Sequence, residues 1–102
     1  MGTGARERPQ HLAEKLLQIR LGLGLSQPQV VKLLGLEGVI TYTKISHYEL
    51  GRREPSLPTL LKYARAAGVS TDVLIDDEMP LPEKLPRKSL HKGMTVTRKR
   101  SR

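Results

Sequence analysis

The segment ISHYELGRREPS, residues 45–56, places a histidine, a carboxylate and two adjacent arginines within seven positions. Glycine suits the left-handed residue that ends a helix, and a Pro-Ser pair suits the start of the next one, so Arg52 and Arg53 are predicted to lie in a loop between two helices. Such a basic corner can bind a partner with negative charge. Alternatively, the arginines form only a solvated corner, and these residues alone leave that choice open.

The helix before this loop is predicted to have one apolar and one polar face. Taking Ile45 as core-facing and stepping about 100° per residue places two residues within about 60° of it, Tyr48 and Glu49. Five others point outward or flank the outward face: Thr43, Lys44, Ser46, His47 and Leu50. The outward face can therefore donate and accept hydrogen bonds.

Four further helices are predicted from apolar residues at three- and four-residue steps, and no strand is predicted. The first runs from Gln10, with Glu14, Lys15 and Gln18 as the polar residues between its leucines. Glycines end the first four helices, at Gly24, Gly35, Gly51 and Gly68. Serine or threonine begins the last four, at Ser26, at Thr41 or Thr43, at Ser56, and at Ser70 or Thr71. The expected fold class is an all-α bundle of five short helices.

Charge is distributed unevenly along the 102 residues, whose formal net charge is +8. Residues 1–78 contain ten Lys and Arg against nine Asp and Glu, whereas residues 79–102 contain eight against one. Three segments are therefore predicted: a flexible arm, residues 1–9; a helical domain, residues 10–78; and a disordered basic tail, residues 79–102. The tail cations are either solvated or bind duplexes nonspecifically: Arg87, Lys88, Lys92, Arg98, Lys99, Arg100 and Arg102.

Several classes of function are disfavoured by composition. The chain has no cysteine and no apolar run of membrane-spanning length, so a cytoplasmic, reduced protein without a membrane segment is expected. Asp76, Asp77 and Glu78 lack calcium-loop spacing and are predicted to form a solvated acidic turn. The three histidines lie far apart, and no phosphate-binding glycine loop is present. No metal, cofactor or catalytic activity is therefore expected.

Helix order and spacing resemble the Xre-like, phage lambda repressor-like helix-turn-helix family over roughly residues 11–76. The resemblance rests on LGLGLSQ at residues 21–27, Gly35, residues 44–70 and DVLI at residues 72–75. The chain departs from the family by a valine at Val31, where alanine is usual. It also has about four extra residues within LEGVITYT, which either extend the start of helix three or loop outward.

The resemblance implies a recognition helix at about residues 42–50 in the DNA major groove. It implies base contacts from Tyr42, Thr43, Ser46 and His47. It implies backbone contacts from Gln27, Lys44, Arg52 and Arg53. Thr43 can instead be only the cap of helix three, His47 a surface histidine, and Gln27 an ordinary residue of a first turn or a brace for a base-contacting neighbour.

Glu49 requires a cation because its direction places it beside the core. The family resemblance implies Arg20 in helix one as its partner. A structural ion pair between Arg20 and Glu49 is therefore expected, and removing one partner would leave the other uncompensated.

The implied function is a sequence-specific regulator of transcription that binds double-stranded DNA, of prokaryotic or phage type and a repressor. The family implies a homodimer on DNA. Val73 and Leu74 of the short fifth helix and the adjacent loops are candidate contact surfaces for it. An alternative is an antitoxin or protein-interaction module whose tail folds on a protein partner. Six apolar tail residues could make that contact: Met79, Leu81, Leu85, Leu90, Met94 and Val96.

Overall fold

A computed structural model describes residues 7–85 of the chain. Within that range the chain forms five helices and no strand, which confirms the predicted fold class. Their bounds are α1 Leu12–Leu23, α2 Gln27–Leu33, α3 Tyr42–Glu49, α4 Leu57–Ala67 and α5 Thr71–Ile75. None of these helices is long and apolar enough to cross a membrane.

The first helix is the centre of the bundle and packs against α3, α4 and α5. Its apolar residues recur at three- and four-residue steps, so they form one stripe that is withdrawn from solvent. The stripe consists of Leu12, Leu16, Ile19 and Leu23. Ile45 of α3 and Leu74 of α5 are fully buried against the same core, so Leu74 cannot supply the dimer contact expected for it.

Local sequence accounts for most helix ends. Ser26 accepts a hydrogen bond from the backbone of Gln29, and the Gln29 side chain accepts one from the backbone of Ser26, so a reciprocal cap starts α2. Helix α3 begins directly after Thr41, although the Thr41 side chain makes no capping hydrogen bond. Thr43 lies inside α3, so the alternative that it caps this helix is wrong.

The inserted residues between α2 and α3 form a compact turn that points outward. The Leu36 carbonyl accepts hydrogen bonds from the N–H groups of Val39 and Ile40, at 2.9 and 3.0 Å. Leu36 is buried, whereas Val39 is 72% exposed. The inserted residues therefore loop outward and do not extend the start of α3. Val31, where the family usually has alanine, is buried in the core.

The chain after α5 turns back along α1. We call residues 77–85 the C-terminal strap. Leu81 and Leu85 of the strap pack against the core, and a Cβ placed on Gly22 would lie 3.0 Å from Leu85 Cδ1. The sequence places the end of the domain at residue 78, whereas these contacts extend the packed part of the chain to Leu85.

Lys15 holds the strap and α5 to the first helix. Its buried ammonium donates to the carbonyls of Val73, Asp76 and Met79, at 2.7, 3.1 and 2.8 Å. These carbonyls lie at and beyond the end of α5, where unpaired acceptors and the negative end of the helix dipole favour a cation. The sequence predicts Lys15 only as a polar residue between the leucines of α1. In the structure its ammonium caps the end of α5 from inside the bundle.

Candidate nucleic-acid interface

The outward face of α3 carries the residues predicted to contact bases. Tyr42 is 55% exposed and Thr43 is also exposed, while Ser46 and His47 are half-buried. All four lie on one helix of eight residues. Since Ile45 and Tyr48 are buried behind them, this face can approach a partner without disturbing the core.

A cluster of three polar side chains fixes α3 to the start of α2 and to α1. Arg20 Nε donates to Glu49 Oε2 at 2.7 Å, and Arg20 Nη2 donates to Glu49 Oε1 at 3.1 Å. Arg20 Nη1 also donates to the Leu25 carbonyl at 3.1 Å. The hydrogen bond to the Glu49 side chain is the main reason why the pKa of Arg20 is raised. The guanidinium therefore stays charged. The structure therefore contains the contact expected between Arg20 and Glu49.

Gln27 joins this cluster through its amide nitrogen, which donates to Glu49 Oε1 at 3.1 Å. The sequence assigns Gln27 to phosphate binding or to bracing a neighbour. In the structure its NH₂ group donates to a carboxylate, so a contact between Gln27 and a phosphate oxygen has to use the amide proton not given to Glu49 or the backbone N–H, because phosphate oxygens only accept. The same contact fixes the first turn of α2 relative to α3.

The loop after α3 is hydrogen-bonded to the last turn of the helix. Gly51 has a φ of 75°, a left-handed conformation that glycine adopts without steric cost. The His47 carbonyl then accepts from the backbone N–H groups of Arg52 and Arg53, at 2.9 and 3.4 Å. Both arginines are exposed, as the predicted phosphate contacts require.

Four cationic residues line a shallow groove beside this loop: Arg8, Lys44, Arg52 and Arg53. The groove also contains the carboxylate of Glu54, to which Arg8 Nε donates at 3.1 Å. The sequence alone does not single out Arg8, because it predicts a flexible arm over residues 1–9. The charged run ARER, residues 5–8, is the only signal in the sequence. It does not indicate which of its two arginines lies beside the loop after α3.

Two tyrosines of the helical core are buried, Tyr48 on α3 and Tyr63 on α4. Burial raises the pKa of Tyr48, and it raises that of Tyr63 far above its usual value. Tyr63 is 1% exposed, and its hydroxyl has no hydrogen-bond partner within the described chain. Both rings therefore stay neutral, and Tyr63 contributes an unpaired polar atom to the core.

The acidic turn after α5 has a structural role that its sequence did not reveal. The Asp77 carboxylate accepts from the backbone N–H groups of Gln10 and His11, at 2.9 to 3.0 Å, and so caps the start of α1. These hydrogen bonds lower the pKa of Asp77. In the described part of the chain, no three His, Asp or Glu side chains gather closely enough to hold a metal ion.

Comparison with a curated relative shows similarity over more than half of this chain. Over 62 residues the chain is 40% identical to the SPbeta prophage-derived uncharacterized HTH-type transcriptional regulator YonR of Bacillus subtilis strain 168. The matched region is 61% of this chain and 54% of the relative, so the chain spans about half the length of that protein.

The fold is also similar to a solved structure, that of the P22 c2 repressor protein in complex with synthetic operator 9T in the presence of Tl⁺. The TM-score is 0.57 at 26% sequence identity, over 65% of this chain and 94% of that one. The helix-turn-helix family model matches residues 16–74, which are more than half of the chain. The chain therefore belongs to the helix-turn-helix family of the Xre, lambda repressor-like type.

Proposed function

We propose that this protein is a sequence-specific regulator of transcription that binds double-stranded DNA and acts as a repressor. The observation that carries the proposal is the exposed polar face of α3, held in place by Arg20, Glu49 and Gln27 and followed by a basic loop. The relative is named a transcriptional regulator, and the structural neighbour is a repressor in complex with an operator. Proteins of this family are DNA-binding regulators and generally not enzymes.

Helix α3 is the element proposed to enter the major groove. A groove about 12 Å wide admits one α-helix, and eight residues span about 12 Å along the axis. In this position four side chains are proposed to contact bases: Tyr42, Thr43, Ser46 and His47. Hydroxyl and imidazole groups can donate to or accept from base edges, which is how sequence is read directly.

Phosphate contacts are proposed at the basic groove and at the first turn of α2. Arg52, Arg53 and Lys44 lie at the basic groove, and Gln27 begins α2. We add Arg8, because its guanidinium lies at the same groove. These contacts position the protein without reading sequence, because phosphates are alike at every site.

A homodimer on two half-sites about 34 Å apart is part of the proposal. Since Leu74 is buried, the surface that supports it consists of exposed apolar residues on α4 and α5: Leu57, Leu61 and Ile75. Leu57 and Ile75 line the same surface depression, and Leu61 follows Leu57 by one helical turn. Sedimentation velocity on the bound duplex should give two chains per site, whereas one chain per site would contradict the dimer.

The alternative is an antitoxin or interaction module. The structure of the strap supports it less than the sequence of the strap does. This alternative needs Leu81 and Leu85 to dock on a partner, whereas both pack against this chain's own core. Leu90, Met94 and Val96 lie outside the described residues. A partner that copurifies in equal amount with the full chain would favour this alternative.

Selection of duplexes from a random pool tests the regulator proposal. The full chain at moderate salt should enrich one sequence motif, and for a dimer the motif should have two-fold symmetry. A pool that stays random after repeated rounds would contradict a sequence-specific regulator. We also propose a cytoplasmic location, which a fluorescent fusion would test.

A further inference from the structure

The residues that precede α1 lie against the loop that follows α3. Asp77 accepts hydrogen bonds from the backbone N–H groups of Gln10 and His11, at 2.9 to 3.0 Å, so the chain is fixed at this point. Residues 7–10 and residues 53–55 line one surface depression. The first described residues therefore follow a defined path beside the loop after α3.

The backbone of Arg8 has little freedom on this path. Arg8 lies two residues before Gln10, whose N–H is bound by Asp77. The Cα atoms of residues 8 and 10 can therefore be at most about 7 Å apart. Pro9 lies between them, and a residue that precedes proline is restricted to extended conformations. The guanidinium of Arg8 can consequently reach only a limited region of the surface.

The side chain of Arg8 forms an ion pair in that region. Its Nε lies 3.1 Å from Glu54 Oε2, and the two side chains are 46% and 23% exposed. A guanidinium has five N–H donors, and a carboxylate accepts at most two of them in the bidentate arrangement. Arg8 therefore retains donors for a second acceptor while it is paired with Glu54.

Glu54 also offsets repulsion among the cations of the basic groove. Four cationic side chains line this groove: Arg8, Lys44, Arg52 and Arg53. Exposed charges act on one another within about 8 Å at physiological salt concentration. Three of these cations would thus favour a position of Arg8 away from the groove, and the Glu54 carboxylate opposes that effect.

We propose that Glu54 is a positioning residue that holds the guanidinium of Arg8 at the basic groove, where it binds a phosphate of the DNA backbone. This inference rests on the proposed function. Phosphate oxygens only accept hydrogen bonds, so they can use the donors of Arg8 that Glu54 leaves unoccupied. Because the side chain is already placed, it loses less conformational entropy on binding. Glu54 thereby increases the contribution of Arg8 to affinity without reading sequence.

A double-mutant cycle with the full chain on the selected duplex tests this role. Arg8→Ala should lower affinity about tenfold in the parent background, as expected for a hydrogen bond between charged groups. In the Glu54→Gln background, Arg8→Ala should lower affinity less than about twofold. Direct repulsion between the Glu54 carboxylate and DNA is common to both members of each comparison, so the cycle cancels it.

The sign of the coupling decides between positioning and competition. A larger loss from Arg8→Ala in the Glu54→Gln background would mean that Glu54 competes with phosphate for Arg8, and it would overturn the inference. Equal losses in both backgrounds would overturn it too, while the proposed function would stand. If the parent binds no duplex selectively, the proposed function itself fails. Glu83→Gln, at an exposed carboxylate of the strap, is the matched control and should show no coupling to Arg8→Ala.

Salt dependence gives a readout that a purely structural role of Glu54 would not change. Each phosphate contact contributes about 0.9 to the slope of log affinity against log salt concentration. Arg8→Ala should therefore reduce the slope by about 0.9 in the parent background and by clearly less in the Glu54→Gln background. The same reduction in both backgrounds would overturn the inference.

Nuclear magnetic resonance of the free protein tests the placement without DNA. The Nε–H signal of Arg8, assigned by its loss in Arg8→Ala, should shift in Glu54→Gln and stay in place in Glu83→Gln. A signal that is unchanged in Glu54→Gln would show that the carboxylate does not hold the guanidinium in solution. That result would overturn the inference and leave the proposed function untouched.

Discussion

Arg20 of α1 forms two hydrogen bonds with Glu49 of α3, and the shorter one joins Nε to Oε2 at 2.7 Å. The side chain of Glu49 is 5% exposed and that of Arg20 is 17% exposed, so neither charge is well solvated. The pair therefore sets the position of α3 relative to α1 and leaves the outward face of α3 for a partner.

Glu49→Gln should destabilise the fold by about 3 kcal/mol, because it leaves the Arg20 guanidinium partly buried without a counter-charge. Operator affinity should fall with it, since α3 loses its fixed angle. Urea unfolding and a binding titration would measure both effects. Glu14→Gln, at an exposed position of α1, is the matched control. Unchanged stability and affinity in Glu49→Gln would show that the pair does not hold the helix.

Lys15→Met should cost about 2 kcal/mol of unfolding free energy, because three carbonyls lose a charged donor while the aliphatic stem is retained. Lys62→Met, on an exposed face of α4, should change stability by less than about 0.5 kcal/mol. Urea denaturation of both variants is the comparison to make. Equal stabilities would mean that Lys15 is dispensable for holding α5 and the strap.

Tyr63→Phe should leave the protein as stable as the parent or raise its stability by about 1 kcal/mol, because it removes a buried hydroxyl that has no partner in the described chain. Tyr42→Phe makes the same chemical change at an exposed position and should have little effect. Thermal unfolding of the two variants checks this. A loss of more than about 1 kcal/mol in Tyr63→Phe would indicate that the hydroxyl is hydrogen-bonded in solution.

Asp77 should make stability depend on acid pH. Its backbone hydrogen bonds lower its pKa in the folded protein below the ordinary value of 3.8, so its contribution is fully present above that pH. The contribution is lost as pH falls through the lowered pKa. Asp77→Asn should therefore be less stable than the parent at pH 7 and closer to it near pH 3. Glu83→Gln removes the same charge from the strap and is the control. A difference in stability between parent and Asp77→Asn that stays constant from pH 7 to 3 would contradict the capping role.

Sequence reasoning succeeded where local chemistry determines structure. Ser26 and Ser56 cap α2 and α4, and Gly24 and Gly68 end α1 and α4 in the left-handed conformation. These features depend on residues three or four positions apart. The contact between Arg20 and Glu49 spans 29 positions, and it could be anticipated only because the family resemblance supplied the partner.

The features that sequence reasoning missed are contacts between distant parts of the chain. Lys15 reaches carbonyls 58 to 64 positions away, and Asp77 caps a helix 66 positions earlier. Leu81 and Leu85 lie among prolines without helical spacing, so their pattern did not predict burial. When a lysine lies between core leucines, the sequence does not indicate whether its ammonium contacts water or the end of another helix.

The most direct test of the central claim compares His47→Ala and Arg52→Ala on the selected duplex and on duplexes changed at single positions. His47→Ala should lose discrimination at one base position, because this side chain is proposed to read a base edge. Arg52→Ala should weaken binding to all duplexes by a similar factor, because Arg52 is proposed to contact phosphate. If His47→Ala keeps the full sequence preference and Arg52→Ala keeps the full affinity, α3 and its loop are not the DNA-reading surface.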